Sequence, residues 1–236
     1  EEDDEMRQQW QGEVVQTGEP IESSWYADQL RREDEGTAHE EDTAPQGRPL
    51  RYWSDYARCM LHPRTLVPVS APSLHGTAFL QPSIQAFDTY EQGYAVAQAM
   101  ERDHAIVDEN VRWLAEDSDL MQAFQVTSSA SDAFSGVNGA YLAWLADEYP
   151  KTERVVFHVA SRAPMDDSER SQRLRKVYAM NQVFSLASSL DLATLQVPLG
   201  TDAAQSEHVH YDADDPYERS AVMATYMETA TLSTRL

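Results

Sequence analysis

The stretch FQVTSSASDAFSGVNGAYLAWLADEYP, Phe124 to Pro150, decides the fold. MQAFQVTS, Met121 to Ser128, has the length and composition of a strand, and from Val137 to Tyr149 the residues Tyr141, Leu142, Trp144 and Leu145 recur at helical spacing. The intervening SASDAFSG stands where a strand-to-helix phosphate loop would hold glycines, which let backbone N–H groups approach an anion and tolerate positive φ. Only Gly136 remains, at the helix entrance. Asp132 would put a carboxylate beside any phosphate, with poorly screened repulsion, and Phe134 adds bulk to the same turn.

Working outward, Glu101 to Asp119 carries Ile106, Val107, Val111, Leu114 and Ala115 on one stripe, which predicts an amphipathic helix packed on a sheet. RVVFHVAS, Arg154 to Ser161, is a nearly continuous apolar strand of the kind buried on both faces. Two strands joined through a helix imply a parallel crossover. Asp166 and Glu169 have capping-box spacing ahead of a long helix reaching about Ser189, and LDLATLQV, Leu190 to Val197, predicts a third strand closed by Pro198 and Gly200. A last helix is expected with Asp215 as N-cap, Pro216 at its first position and Glu218 completing the box. Ala221, Val222, Ala224, Tyr226, Met227 and Ala230 are apolar on more than one side of it, which predicts burial.

The order of elements is α/β, with a parallel sheet flanked by helices. Residues 1–47 differ in texture: runs such as EEDDEMRQQW and RREDEGTAHEEDTAPQG predict a mostly disordered acidic arm, with Trp10, Trp25 and Tyr26 as its aromatic exceptions. Residues 48–236 form the second region, and the absence of an initial methionine predicts an upstream portion. Forty acidic against eighteen basic residues give a formal charge of −22, which disfavours nucleic acid and anionic bilayers as partners and predicts partners that are basic or bound through apolar patches. No apolar run approaches the roughly twenty residues of a membrane helix, so any membrane association is expected to be peripheral. The single cysteine, Cys59, allows no internal disulfide, points to a reducing compartment and reads as a buried spectator.

Several blocks carry a resemblance. FQVT, a loop, a helix and DEYP resemble the tubulin segment in which FQLT leads through GGGTGSG to a helix closing on EEYP. PYERSAVMATYMETATLSTRL resembles the tubulin core helix. YWSDYARCMLHPRTLVPV, Tyr52 to Val69, together with DAFSGV and HYDA, is similar to the signatures of Misato, a divergent tubulin-like family tied to mitochondrial distribution. The likeness covers about Pro49 to Leu236, whereas the arm matches nothing closely, although fungal members of the family carry comparable acidic spacers. It implies a tubulin-like, Rossmann-like parallel sheet.

The same resemblance defines a degenerate nucleotide cleft: Ser131, Asp132, Ser135 and Gly136 in the loop, Tyr217 at the position that stacks on guanine, and Asn181 as the substitute for a base-reading asparagine that falls near Ala179. The asparagine four residues after the stacking tyrosine has become Ala221, which leaves guanine unselected. No cofactor is therefore expected, and no GTPase. His208, His210 and Asp212 alternate in HVHYDADD, but without a fourth ligand they read as an acidic connector rather than a metal site. His62, Pro63 and Arg64 read as a chain reversal with Arg64 paired to an acidic neighbour.

The family likeness implies a non-catalytic interaction scaffold in mitochondrial distribution and morphology, organelle partitioning and mitochondrial DNA inheritance. It would lie peripherally on the cytosolic side of mitochondria, with a cytoplasmic pool. Its protein partners would be tubulin-related, a chaperonin, or mitochondrial outer-membrane components. The alternative is a GTP-binding, tubulin-like GTPase that assembles into filaments.

Overall fold

The structure, a computed structural model, describes residues 28, 31–32, 34–37, 63–67, 69, 87–162, 164, 166–200, 209–212 and 216–232. The chain divides into two units, Glu1–Leu61 and His62–Leu236. In the first, the described residues form a helical turn through Arg31 and Arg32, closed where Gly36 takes φ 68°. The rest of the acidic arm, and Cys59, lie outside the described residues.

In the second unit a 3-10 turn at Pro63–Thr65 precedes α1 (Tyr90–His104), a π-helical segment (Val107–Val111), α2 (Arg112–Glu116), β1 (Ala123–Ser129), α3 (Phe134–Glu148), β2 (Glu153–Val159), α4 (Glu169–Ser189), β3 (Leu195–Leu199) and α5 (Pro216–Thr231). The three strands form one sheet in the order β1-β2-β3. Both pairings are parallel, with Phe124 opposite Arg154 and Phe157 opposite Val197. The crossover expected from two strands joined through a helix is therefore present. β2 is central, and Val156, Phe157 and His158 at its middle are buried, as its nearly continuous apolar composition predicts.

α1, α3 and α4 make a helical layer over one sheet face. Alternate residues Phe124, Val126 and Ser128 of β1 and Val156 and His158 of β2 point to that face. Phe124 meets Tyr149 at the end of α3 with ring centroids 5.2 Å apart, and His158 meets Ser185 of α4 at 2.9 Å. The core between the layers holds Ala97, Ala133, Ala140, Leu142 and Val156, all at most 1% exposed. Burying Leu142 alone stabilises the fold by about 1.5–3 kcal/mol. Arg154 ties the far end of the sheet, donating to the carbonyls of Leu192 (2.6 Å), Tyr149 (3.0 Å) and Thr152 (2.7 Å).

Four local expectations are corrected. The single helix over Glu101–Asp119 is broken at Ala105, which takes φ 47° and ends α1; Ile106 and Val107 are buried beyond the break, but Leu114 is exposed. Glu101 bridges the interruption, its carboxylate accepting from the Val107 N–H at 3.2 Å. The cap of α4 is Ser168, not Asp166 with Glu169; the Asp166 carboxylate accepts from the Ser168 N–H and the Ser171 hydroxyl. The Ser168 side chain first, then the Ser171 hydroxyl and the Ser168 N–H, together with the nearby Arg175, hold the Asp166 carboxyl down at about 2.

The third strand begins at Leu195 because Leu190 to Ala193 finish the helix end, with Leu192 and Ala193 both donating to the Ser189 carbonyl. Pro198 is tolerated inside it because it lies on the edge strand. α5 starts at Pro216 as expected, but among its described side chains only Met223 and Thr231 are buried, while Ala221, Ala224, Tyr226 and Ala230 are exposed. An all-round apolar helix is buried only when neighbours cover every side, and the described elements cover one stripe. The expected N-cap, Asp215, lies outside the described residues.

Candidate functional site

The turn from β1 into α3 is built from the strand outward. The ladder continues one residue past β1, where the Ala130 N–H donates to the Val159 carbonyl at 2.8 Å, and the chain then turns sharply through Ser131, Asp132 and Ala133. Ser131, Ala133 and Ser135 are fully buried, and Asp132 is half-buried.

The turn is filled by its own side chains. The Asp132 carboxylate accepts from the Ser129 hydroxyl at 2.8 Å and from the Phe134 N–H at 2.9 Å, so an anion already sits at the start of α3. The Ser129 hydroxyl also accepts from the Ser131 N–H at 3.4 Å. The Ser135 hydroxyl donates to the Asp132 carbonyl at 2.5 Å, and the Ser135 and Gly136 N–H groups meet the carbonyls of Asp132 and Ala133. Burial pushes the Asp132 carboxyl up, and the two donors partly oppose that. Tyr178 on α4 is likewise pushed up, by burial first and then by the charges of Asp132 and Asp88.

The surrounding elements close over the turn. Asn181, 2% exposed, uses its amide as a staple: Nδ2 donates to the carbonyls of Asp88 (2.6 Å) and Ser131 (2.9 Å), and Oδ1 accepts from the Tyr90 N–H (2.9 Å). The Ser131 hydroxyl accepts from the Ser161 N–H (2.9 Å) and Gln182 Nε2 (3.1 Å). Overhead, α1 crosses so closely that a Cβ at Gly93 would lie 1.6 Å from the Ala133 carbonyl oxygen, and one at Gly136 would lie 1.9 Å from that of Tyr90. Gly136 is therefore needed by the helix crossing, which is a different reason from the phosphate approach expected of it.

Of the expected site residues, Ser131, Asp132, Ser135, Gly136 and Asn181 come together here. Tyr217 is in the first turn of α5, and its side chain lies outside what is described. Sequence reasoning did not find Ser129, Gln182, Tyr178 or Gly93. The isolated glycine in the helical pattern YEQGY was the one available signal, since such a glycine marks a close backbone approach.

Other polar clusters lie apart from the turn. His158 accepts or donates to Ser185 (Nδ1, 2.9 Å) and Ser189 (Nε2, 3.2 Å), a pairing that could activate a hydroxyl, but all three are at most 2% exposed and no substrate can reach them. His210 and Asp212 are exposed, His208 is outside the described residues, and the Asp212 N–H meets the Glu218 carboxylate, tying the connector to α5. Arg64 lies over the Trp113 ring at 5.1 Å, and its carbonyl accepts from Asn110 at 2.7 Å. A cavity of about 80 Å³ lined by Glu101, Asp108, Asp147 and Glu148 shares no residue with the turn.

With this geometry established, comparison with known proteins is specific. A family profile described as a tubulin domain matches residues 43–236. Protein DML1 of Gibberella zeae is 31% identical over 229 residues, covering 96% of this chain and 43% of that protein. Protein dml-1 of Neurospora crassa is 29% identical over 187 residues, covering 79% and 34%. Protein misato homolog 1 of Macaca fascicularis is 27% identical over 202 residues, covering 81% and 34%. The chain thus spans between 34% and 43% of the length of these relatives. Alignment over 96% of the chain also reaches into the acidic arm.

Proposed function

The chain belongs to the Misato/DML1 group of tubulin-domain proteins, and from that premise we propose that it is part of a non-catalytic, tubulin-like interaction scaffold. The process it serves is mitochondrial distribution and morphology, with organelle partitioning and mitochondrial DNA inheritance. It acts from the cytosolic side of mitochondria through protein partners: tubulin-related proteins, a chaperonin, or outer-membrane components. It takes no nucleotide and hydrolyses none.

The observation that carries this reading is the Asp132 carboxylate at the start of α3, held by Ser129 and Phe134. A phosphate approaching the turn meets a negative charge that already uses the Phe134 N–H, beside Ser135 and Gly136 N–H groups bonded to the chain's own carbonyls. Fluorescent GTP titrated into this chain and into a full-length family member should bind no tighter than about millimolar, which is roughly 4 kcal/mol. Micromolar, magnesium-dependent binding to the full-length protein would sink the scaffold reading in favour of a filament-forming GTPase. The mitochondrial part has its own test: cells lacking the protein should show altered mitochondrial distribution and loss of mitochondrial DNA, and normal organelles would remove that assignment.

A further inference from the structure

α4 is turned inside out. Its buried residues are Ser171, Asn181, Ser185 and Ser189, all polar, while Met180, Val183 and Phe184 are 55%, 61% and 46% exposed. The inversion has a local cause: the inner face must supply partners to His158 and to the β1–α3 turn, which serine hydroxyls and the Asn181 amide do. It leaves Met180, Val183 and Phe184 outside, with Leu174, Val177 and Leu186 half-buried at the flanks, and contiguous apolar exposure is unfavourable unless something covers it.

The outer face has an ordered pattern. Arg173, Lys176, Met180, Val183 and Ala187, all exposed, are separated by three, four, three and four residues, which sets them in one line along the helix. At 1.5 Å per residue that line is about 21 Å long. Its first half is basic: Arg170, Arg173, Arg175 and Lys176 fall within two turns of a chain that has only eighteen basic residues. Arg175 is engaged by the carbonyls of Pro164 and Asp166, whereas Arg170, Arg173 and Lys176 form no ion pair among the described residues. The second half is apolar and backed by aromatic rings, with Phe184 5.6 Å from Tyr90 and Tyr90 stacked on the exposed Tyr94 at 6.2 Å.

We propose that this face of α4 docks an acidic amphipathic segment of a protein partner, its carboxylates against Arg170, Arg173 and Lys176 and its apolar side chains on Met180, Val183 and Phe184. A helix laid along the line fits both its length and its period. Charge complementarity selects that occupant over two others. A second copy meets the face by a two-fold axis, which sets basic ends against each other or against unpaired apolar ends. An anionic bilayer fits the pattern less well, because the basic residues cap one end of the stripe instead of bordering it along both sides as in interfacial helices. The proposal rests on reading the chain as an interaction domain and identifies the interacting face.

The test uses the whole chain and a labelled synthetic helical peptide of about 18 residues with leucines along one half of a stripe and glutamates along the other. Fluorescence anisotropy should show saturable binding that weakens as salt is raised. Arg173→Glu with Lys176→Glu, and separately Met180→Glu with Val183→Glu, should each weaken it at least about tenfold. Thermal melts of both double variants should match the parent, since these side chains are exposed. Absence of saturable binding, equal binding by the variants, a dimer that the apolar variant abolishes in sedimentation, or stronger capture by phosphatidylserine-containing vesicles than by the peptide would each overturn the proposal. None of these readouts involves GTP, so failure here and failure of the nucleotide assay are separately visible.

Discussion

Asp132 and His158 are half-buried and buried titratable groups whose shifts have opposite sign. For Asp132, burial raises the folded value above the unfolded one, so between those values the folded state binds more protons and stability falls as pH rises. Yet the side chain also organises the turn through Ser129 and Phe134. Asp132→Ala should therefore cost about 1–2 kcal/mol in urea unfolding at neutral pH, while Asp132→Asn, which keeps an acceptor for the Phe134 N–H and removes the buried charge, should cost less. The stability of the parent relative to Asp132→Asn should increase from pH 7 toward pH 4, and a decrease would mean that the ionised form is the favoured one. His158 runs the other way. A neutral imidazole satisfies the network if Ser185 donates to Nδ1 and Nε2–H donates to Ser189, whose own proton goes to the Ser185 carbonyl at 2.7 Å. Burial lowers its folded pKa below the ordinary value, an effect that a bond with Gln196 partly opposes. The unfolded chain therefore binds the extra proton first, and stability present above about pH 6.5 is lost as pH falls. His158→Gln should flatten that acid-side slope in denaturant titrations; an unchanged slope would place the titration elsewhere.

At the scale of elements, the tightest constraint is the crossing of α1 over the start of α3. At both Gly93 and Gly136 the atom that an added Cβ would strike belongs to the backbone, at 1.6 and 1.9 Å, so no side chain can move aside and the helices must separate. Gly93→Ala and Gly136→Ala should each cost about 3 kcal/mol or more, whereas Gly200→Ala, with open space around it, should be close to neutral. Equal denaturation midpoints for all three would refute the crossing. This crossing also marks the limit of what the sequence made legible. β1, α3 and β2 were readable because period-two and period-3.6 patterns and a continuous apolar run are set by local geometry and sheet burial. Ser131, Asp132, Ser135 and Gly136 lie together at the turn, but the part Gly136 plays was not readable: it serves a helix 40-odd residues upstream in sequence, which about one turn of local pattern cannot reveal. α4 was placed by length and turn signals; its inverted face was invisible because the polar inner side is dictated by His158 and Asn181 partners from other elements. β3 slipped because Leu190 to Ala193 suit a strand by composition, yet they satisfy the open carbonyls at the end of α4.

For the molecule as a whole, electrostatics set the balance between attraction at single pairs and repulsion summed over the chain. Arg112 illustrates the attractive side, reaching Asp108 at 2.6 Å and Glu148 at 3.3 Å, and its guanidinium is held above its ordinary value chiefly by Asp108. All three side chains are about half exposed, so each pair contributes little and loses part of that in salt. Against this stands a surplus of twenty-two negative charges, whose mutual repulsion favours expanded over compact states. Salt shortens the range of both effects, to a Debye length of about 10 Å at 0.1 M and about 3 Å at 1 M. Both pairs lie well inside the 0.1 M length, while the summed repulsion acts over longer distances and is screened more completely. Raising sodium chloride from about 0.02 to about 0.5 M should therefore increase the melting temperature by several degrees, roughly the effect of 1 kcal/mol in a domain of this size. Calorimetry or circular dichroism melts across that series decide the matter: a melting temperature that falls with salt would show that local ion pairs, and not the net charge, govern the stability of this chain.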